Sequence, residues 1–249
     1  MGRVIDNPVS HRYQAYWAMP KDGFALSVRL QVDANDRMRQ KQPARATIVN
    51  AWRDRINQWS GRTRYVVSRI FLHLAGDQVA PLLGVLNQAA LAADAAEGDL
   101  EALGEQLVEV CQSLLQSEPY WLAGANTGEV FWEEGAAGDY VNELFTDSAQ
   151  RYLSQPAAST TPSNQDDPLV VPVTRNVVVM IGVAYEGEVP TLETDLSHAE
   201  AMREGLKALI NLHYQEALRA IQIHFSPAQL GDELTADQVL ANFPELIPL

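Results

Sequence analysis

The sequence predicts an α+β fold, and three observations lead to that prediction. Apolar and polar residues alternate strictly near the N-terminus, as they do in a half-buried strand. The middle of the chain shows the three- and four-residue apolar spacing of amphipathic helices. Near the C-terminus, a run of β-branched residues precedes a long amphipathic helix and a second apolar run. At 249 residues, 47% of them hydrophobic, the chain is long enough to bury a large core.

The N-terminal part predicts a β-hairpin followed by a helix. Apolar residues occupy every second position across 24–32, the period of a strand with one buried face. The preceding stretch 20–23, Pro-Lys-Asp-Gly, supplies a fixed φ and an Asp-Gly pair suited to a tight turn. Across 44–59 the apolar residues step by four, four and three, which predicts a helix ended by Gly61.

The middle of the chain predicts one strand and three helices. The β-rich stretch TRYVVSRIFLHLAG favours a strand, although its apolar residues also fit helical spacing. Helices are predicted over 77–94, 98–116 and 139–153 from their apolar stripes. The intervening stretch 118–138 contains several glycines, and we interpret it as turns and loops.

The C-terminal part predicts a strand–helix–strand unit, a short helix and a tail. Thr235 and Gln238 have the spacing of a capping box at the start of the short helix. A right-handed crossover would make the two strands parallel. The polar stretch 154–168 is the best boundary in the chain. The predicted organisation is a basic hairpin-helix segment, a helical α/β middle, a linker and a β-α-β-α unit, spanning 1–61, 62–153, 154–168 and 169–249.

Charge is distributed unevenly along the chain. Residues 1–75 contain 13 basic and 5 acidic residues, a net charge of +8, whereas residues 76–249 carry 5 basic and 27 acidic residues, a net charge of −22. Five arginines in the basic part are candidate partner contacts. The same residues also fit pairing with the acidic helix face at 97–109, contact with an acidic protein or anionic headgroups, or nucleic-acid binding. These arginines are Arg37, Arg39, Arg45, Arg53 and Arg55.

Aromatic residues concentrate between positions 118 and 152, which hold seven of the chain's 19. Tyrosine and tryptophan are typical of interfaces and ligand pockets, but they also cover cores. The candidates here are Tyr120, Trp121, Phe131 and Trp132. We expect the tail, from Phe243 to Leu249, to pack on the two C-terminal strands, because its apolar residues gain free energy on burial. Recognition by a partner is the alternative for the tail.

Little in the sequence indicates catalysis or a cofactor. His213 and Glu216, three residues apart on a predicted helix, have a spacing that can share a metal, but His213 also lies on the apolar stripe. The single cysteine, Cys111, excludes an internal disulfide and lies on the apolar stripe of its helix. Phosphate-loop, dinucleotide and serine-hydrolase fingerprints are absent. We expect a non-enzyme without metal or cofactor.

The lengths of the apolar runs indicate where the protein is located in the cell. The longest one covers the nine residues 177–185, well short of the roughly 20 that a membrane span needs. The N-terminus has no apolar stretch resembling a secretory signal. We therefore expect a cytosolic or stromal protein.

Three segments resemble the family catalogued as domain of unknown function 1517. They are the closing AIQIHFSPAQLGDELTADQVLANFPELIPL, the strand VVVMIGVAYEGEVP and the segment LLQSEPYWLAGAN. The resemblance spans roughly residues 64–249. It implies a cyanobacterial or plastid protein linked to thylakoid function. Many members have glycine-rich and membrane-spanning stretches at their N-terminal side, where this chain has its basic segment.

These observations lead to two functional expectations. The first is a non-catalytic accessory, scaffold or regulatory protein of the photosynthetic apparatus, cytoplasmic and peripheral to the thylakoid membrane. It would act through contacts made by the basic segment and the aromatic residues. The alternative is a small-molecule or pigment-binding protein, or an enzyme, with an aromatic-lined pocket between the two halves.

Overall fold

A computed structural model describes residues 12–15, 25–31, 62–76, 79–96, 98–153, 174–227 and 234–249. The predicted turn at 20–23, the helix at 44–59 and the linker at 154–168 lie outside these residues. The strands are β1 (Arg12–Ala15), β2 (Ala25–Gln31), β3 (Tyr65–Ala75), β4 (Trp121–Phe131), β5 (Asn176–Glu186), β6 (Leu218–Ser226) and β7 (Ile247–Pro248). The helices are α1 (Ala80–Ala95), α2 (Leu100–Gln116), α3 (Glu134–Leu153), α4 (Ala199–Tyr214) and α5 (Ala236–Asn242), and a 3₁₀ turn covers Glu118–Tyr120.

The described strands form one antiparallel sheet in the order β1-β2-β6-β5-β3-β4-β7. The predicted hairpin is confirmed, because β1 pairs with β2 from Arg12–Gln31 to Ala15–Val28. β3, the stretch whose apolar residues also fit helical spacing, is a strand along its whole length and pairs with both β4 and β5. Strands on either side of the linker therefore alternate in the same sheet, and the fold is α+β as predicted.

The predicted parallel pairing of β5 and β6 is wrong. The two strands are antiparallel neighbours, with Tyr185 opposite Leu218. The reason is the connection 187–198, which runs back over the sheet before α4 begins. Asn126, in the middle of β4, binds this connection twice: its side-chain amide donates to the Thr194 carbonyl, and its Oδ1 accepts from the Leu196 N–H. Helix α4 then returns the chain to the end of the sheet at which β5 ends.

The glycine-rich stretch predicted as loops is mostly strand β4. Glycine weakens a strand, but it also permits close approach by other groups. A Cβ on Gly124 would lie 2.8 Å from Met202 Cε and 3.2 Å from Leu249 Cδ2. Gly124 therefore serves packing against α4 and the tail, and pairing with β3 supplies the strand's hydrogen bonds.

Helices cover both faces of the sheet. One face packs against α1, α2 and α4 and holds the largest apolar cluster, with Leu74, Ile181 and Phe225 among its buried residues. On the other face, α3 packs on Val67 near one end of the strands, and α5 packs near the other end, where Phe71 lies. The predicted helices of the middle are confirmed, although α3 begins five residues earlier than expected.

The tail docks partly as predicted, because Phe243 shares an apolar cluster with Val178 and Met180 of β5, one of the two expected strands, as well as with Phe71 of β3. Phe243 is 1% exposed and its ring lies 6.4 Å from that of Phe71 in β3. The last residues pair with β4 instead of covering β6, with Gly124 opposite Ile247. Ile247 remains 52% exposed, so the anchor of the tail is Phe243 rather than the whole apolar run. The Thr235–Gln238 capping box is present and starts α5 as expected.

Candidate protein interface

None of the described strands pairs with the outer edge of β4 over its second half. Among the described strands, β7 is the partner on this side, and it pairs with Ala123 and Gly124. Beyond them, residues 127–129 are exposed to solvent. Neighbouring residues of a strand direct their backbone N–H and C=O groups to opposite sides, so this half of β4 presents groups that a further strand can bind.

Aromatic side chains surround the end of this edge. Phe131, the last residue of β4, packs on Tyr140 of α3 with ring centroids 5.2 Å apart. Tyr65 lies opposite Phe131 across the β3–β4 pair, and Trp132 follows directly along the chain. All four side chains are half-buried, so each keeps part of its surface accessible. We call residues 127–132, which are the second half of β4 and the residue after it, the β4 edge.

The surroundings of the β4 edge are acidic. Glu129, Glu133 and Glu134 are exposed along it or just beyond it. Burial raises the pKa of Tyr140, and the neighbouring carboxylate of Glu129 raises it further. Burial likewise raises the pKa of Tyr65, with Glu134 adding to the effect. Both tyrosines therefore experience the negative potential of these glutamates.

Two arginines near the β4 edge are engaged by other carboxylates. Arg64 donates from Nη1 to Glu193 Oε1 at 2.8 Å and from Nη2 to Glu193 Oε2 at 2.5 Å. Although burial opposes it, the hydrogen bonds from Arg64 and from the Val189 N–H lower the pKa of Glu193. Arg69 donates to Asp147 Oδ2 at 2.8 Å. Arg64 and Arg69 thus hold the 187–198 connection and α3 in place.

The structure separates the predicted aromatic contacts into two groups. Tyr120 and Trp121 stand at the start of β4, about 33 Å from Phe131 if each residue advances 3.3 Å. Trp121 is 8% exposed and donates from Nε1 to the Leu114 carbonyl at 3.1 Å. Tyr120 packs against Gly76. The interpretation that aromatic residues cover the core fits Tyr120 and Trp121, whereas Phe131 and Trp132 belong to the β4 edge.

The other predicted contacts belong to the basic N-terminal part of the chain. Arg37, Arg39, Arg45, Arg53 and Arg55 lie outside the described residues. Sequence reasoning also missed Tyr65, Glu129 and Glu133. Their importance depends on β4 being near the edge of the sheet, which is a property of strand order and not of any local pattern.

A separate cavity of ≈ 390 Å³ lies where the start of α2, the end of α4 and the start of β6 meet. It is large enough for a small ligand. Arg219 in its wall donates from Nε to Glu186 Oε1 at 2.8 Å and is thereby held in place. The aromatic residues predicted to line a pocket are not in its wall. The lining residues are Leu100, Glu101, His213, Tyr214, Glu216, Leu218 and Arg219.

Polar side chains also lie inside the fold, between α3 and α5. Strand register places Arg69, Gly182 and Gln222 in one row across β3, β5 and β6. Gln222 hydrogen-bonds to Nε2 of His224, which is completely buried. Burial lowers the pKa of His224 to about 3, so this imidazole is neutral at pH 7. This row is interior structure and not a surface for partners.

Four further features bear on chemistry and on membranes. Cys111 is completely buried, and burial raises the pKa of its thiol. Within the described ranges, no three His, Cys, Asp or Glu side chains are grouped so that they could hold a metal ion. His213 and Glu216 do line the same cavity. Across those same ranges, no helix combines the length and the apolar character needed to span a bilayer.

Comparison with known proteins gives a family. No curated protein and no solved structure matches the chain. A family model described as "Protein of unknown function (DUF1517)" matches residues 64–249. This span includes β3–β7 and all five described helices, and it agrees with the extent of the resemblance in the sequence. The chain therefore belongs to the DUF1517 family.

Proposed function

We propose that this protein is a non-catalytic accessory or scaffold protein of the photosynthetic apparatus, peripheral to the thylakoid membrane, that acts through protein–protein contacts. The observation that carries the proposal is the exposed, aromatic-ended β4 edge. What the resemblance implies about cyanobacteria, plastids and thylakoids supports the photosynthetic setting.

The β4 edge has the physical properties of a binding surface. An exposed strand edge is a template for another chain, and proteins usually shorten, bend or cover such edges. Here β7 shields Ala123 and Gly124, and the side chain of Asn126 holds the neighbouring connection. Within the part of the chain that the structure describes, no strand besides β3 pairs with residues 127–129, and these residues are exposed. Half-buried Phe131 and Trp132 add the aromatic surface that dominates many interfaces.

Affinity purification tests this proposal. The tagged protein is expressed in a cyanobacterial cell, and membrane and soluble fractions are purified separately at low and high salt. We expect one stoichiometric protein complex at low salt, released by high salt because charged contacts are screened. Recovery of the protein alone from the soluble fraction at both salt concentrations would contradict the proposal.

Binding of a small molecule is a second candidate function, favoured by the ≈ 390 Å³ cavity. Native mass spectrometry of protein purified from the same cell tests it. A bound molecule should appear as a discrete mass increment in the wild type. The increment should disappear when Leu100, a half-buried lining residue, is replaced by Trp to fill the cavity. An unmodified mass in the wild type would remove this candidate.

A further inference from the structure

We infer that the β4 edge binds a basic, extended segment of a partner protein as an additional strand. This inference rests on the proposed function and specifies the chemistry of the partner. It combines three properties of the described residues: available backbone groups, a carboxylate-rich border and a flanking aromatic cluster.

The backbone explains why the partner is extended. Residues 127–131 offer a strand about 17 Å long, enough for five residues of a guest chain. Alternate peptide groups on this side can form the ladder hydrogen bonds of strand addition, which give affinity without requiring a particular guest sequence. β3 holds the other side of β4 along this whole stretch, with Val67 opposite Glu129, so the template is already ordered.

The carboxylates explain why the partner is basic. Glu129 lies on the edge strand itself, and Glu133 and Glu134 extend the negative border past its end. Among the arginines near this border, Arg64 and Arg69 are bonded to Glu193 and Asp147, while Arg62 is exposed. A guest with lysine or arginine at alternate positions can place its cations beside these glutamates. Because Glu129 and Phe131 are two residues apart, they lie on the same face of β4, so the cations of the guest would share that face with the aromatic side chains. The other side chains of the guest would lie on the opposite face, beside Val130, which packs against the largest apolar cluster.

The same charges argue against a second copy of this chain at the edge. Pairing two β4 edges would bring Glu129 and Glu133 of one copy close to the same glutamates of the other. Like charges across an interface oppose association. A partner of opposite charge is therefore the occupant that the surface favours.

A capped ten-residue peptide of alternating lysine and valine serves as the probe. Hydrogen exchange measured by mass spectrometry should show slower exchange in the stretch 125–132 when this peptide is added. A peptide of alternating glutamate and valine should leave exchange unchanged. Replacing Glu129 and Glu133 by lysine should weaken binding of the basic peptide at least tenfold.

Glu105 and Glu109 on the exposed face of α2 provide a matched control. Replacing both by lysine changes the net charge equally, and we expect peptide affinity to stay within twofold of wild type. Thermal unfolding of both variants verifies that they fold. Equal weakening by the two pairs would reveal unspecific charge attraction and overturn the inference, as would absence of protection in 125–132.

Two other occupants have their own signatures, and each overturns the inference. Peptide binding that appears only after Arg37, Arg39, Arg45, Arg53 and Arg55 are changed to glutamine would identify the chain's own basic segment. Concentration-dependent dimers in which exchange in 125–132 slows without added peptide would identify a second copy. If affinity purification gives a partner that the Glu129→Lys/Glu133→Lys variant still retains, the proposed function stands while the inference fails. If no partner is recovered at all, the proposed function fails.

Discussion

The imidazole of His213, near the end of α4, lies directly against Gly104 in α2. A Cβ on residue 104 would be 2.1 Å from His213 Nδ1, closer than real side chains approach. The two helices thus meet at a point where one contributes only a hydrogen atom. Because His213 also lines the ≈ 390 Å³ cavity, this contact shapes the cavity wall.

Replacing Gly104 by alanine should lower the free energy of unfolding by about 1–3 kcal/mol, since overpacking outweighs the gain in helix propensity. Adding His213→Ala should restore most of the loss. Urea denaturation measures both effects.

Gly84 provides the control for this prediction. It is exposed on α1, with nothing within 4 Å of an added Cβ. Gly84→Ala should therefore stabilise the protein by up to about 1 kcal/mol. A Gly104→Ala protein as stable as the wild type would show that the two helices separate easily at this point.

Two substitutions in the tail should have very different effects. Phe243 is 1% exposed, and its replacement by alanine should cost about 3–5 kcal/mol through lost burial and a cavity. Ile247 is 52% exposed, and its replacement should change the free energy of unfolding by less than about 1 kcal/mol. Chemical denaturation compares them. Similar values for both would mean that the tail acts as one apolar unit and that Phe243 is not its anchor.

The free energy of unfolding should decrease as the pH is lowered, because His224 is buried as the neutral imidazole. The pKa of His224 in the fold is about 3, below the value near 6.5 expected in the unfolded chain. The unfolded state therefore takes up a proton below pH 6.5, and the fold loses about 1.4 kcal/mol per pH unit, reaching about 3 kcal/mol by pH 4.5. Glu193, whose pKa is lowered, loses its contribution only at lower pH.

Replacing His224 by glutamine should flatten this slope between pH 6.5 and 4.5, as measured by urea denaturation at each pH. Replacing the exposed His198 by glutamine should leave it unchanged. A slope that persists in the His224→Gln protein would assign the effect to another group, for which His73 is the candidate, because burial also lowers its pKa.

The Arg64–Glu193 ion pair should contribute more to the free energy of unfolding than an exposed ion pair does. Its side chains are 18% and 21% exposed, against 50% and 49% for Lys207 and Glu204. Glu193→Gln should cost about 1–2 kcal/mol and Glu204→Gln less than about 0.5 kcal/mol. Denaturation in low and high salt checks this, since salt screens the exposed pair more strongly. Equal costs would mean that Glu193 does not hold the 187–198 connection to β3.

Local patterns predicted most of the elements. Apolar periodicity identified the described helices, and the Thr235–Gln238 spacing identified the start of α5. Two errors share one cause. The strand character of β4 depends on β3 as its partner, and the direction of β6 depends on how the 187–198 connection returns past Asn126. Both are long-range relationships that windows of neighbouring residues do not contain.

The candidate interface was predictable only in part. The concentration of aromatic residues between positions 118 and 152 selected Phe131 and Trp132. It also grouped them with Tyr120 and Trp121, because all four are close along the chain. An extended strand places its two ends far apart, so closeness in sequence did not mean a shared surface. The glutamates beside Phe131 gain significance only from the position of β4 in the sheet.

The most direct test of the central claim, that this protein acts through partner contacts at the β4 edge, is site-specific photocrosslinking in the cell. A photoreactive phenylalanine analogue is placed at exposed Thr127 on the edge or, as a control, at exposed Glu105 on α2. We predict one dominant protein adduct from position 127, attached to a lysine- or arginine-rich segment, and no such adduct from position 105. No adduct at position 127, or the same adducts at both positions, would contradict it.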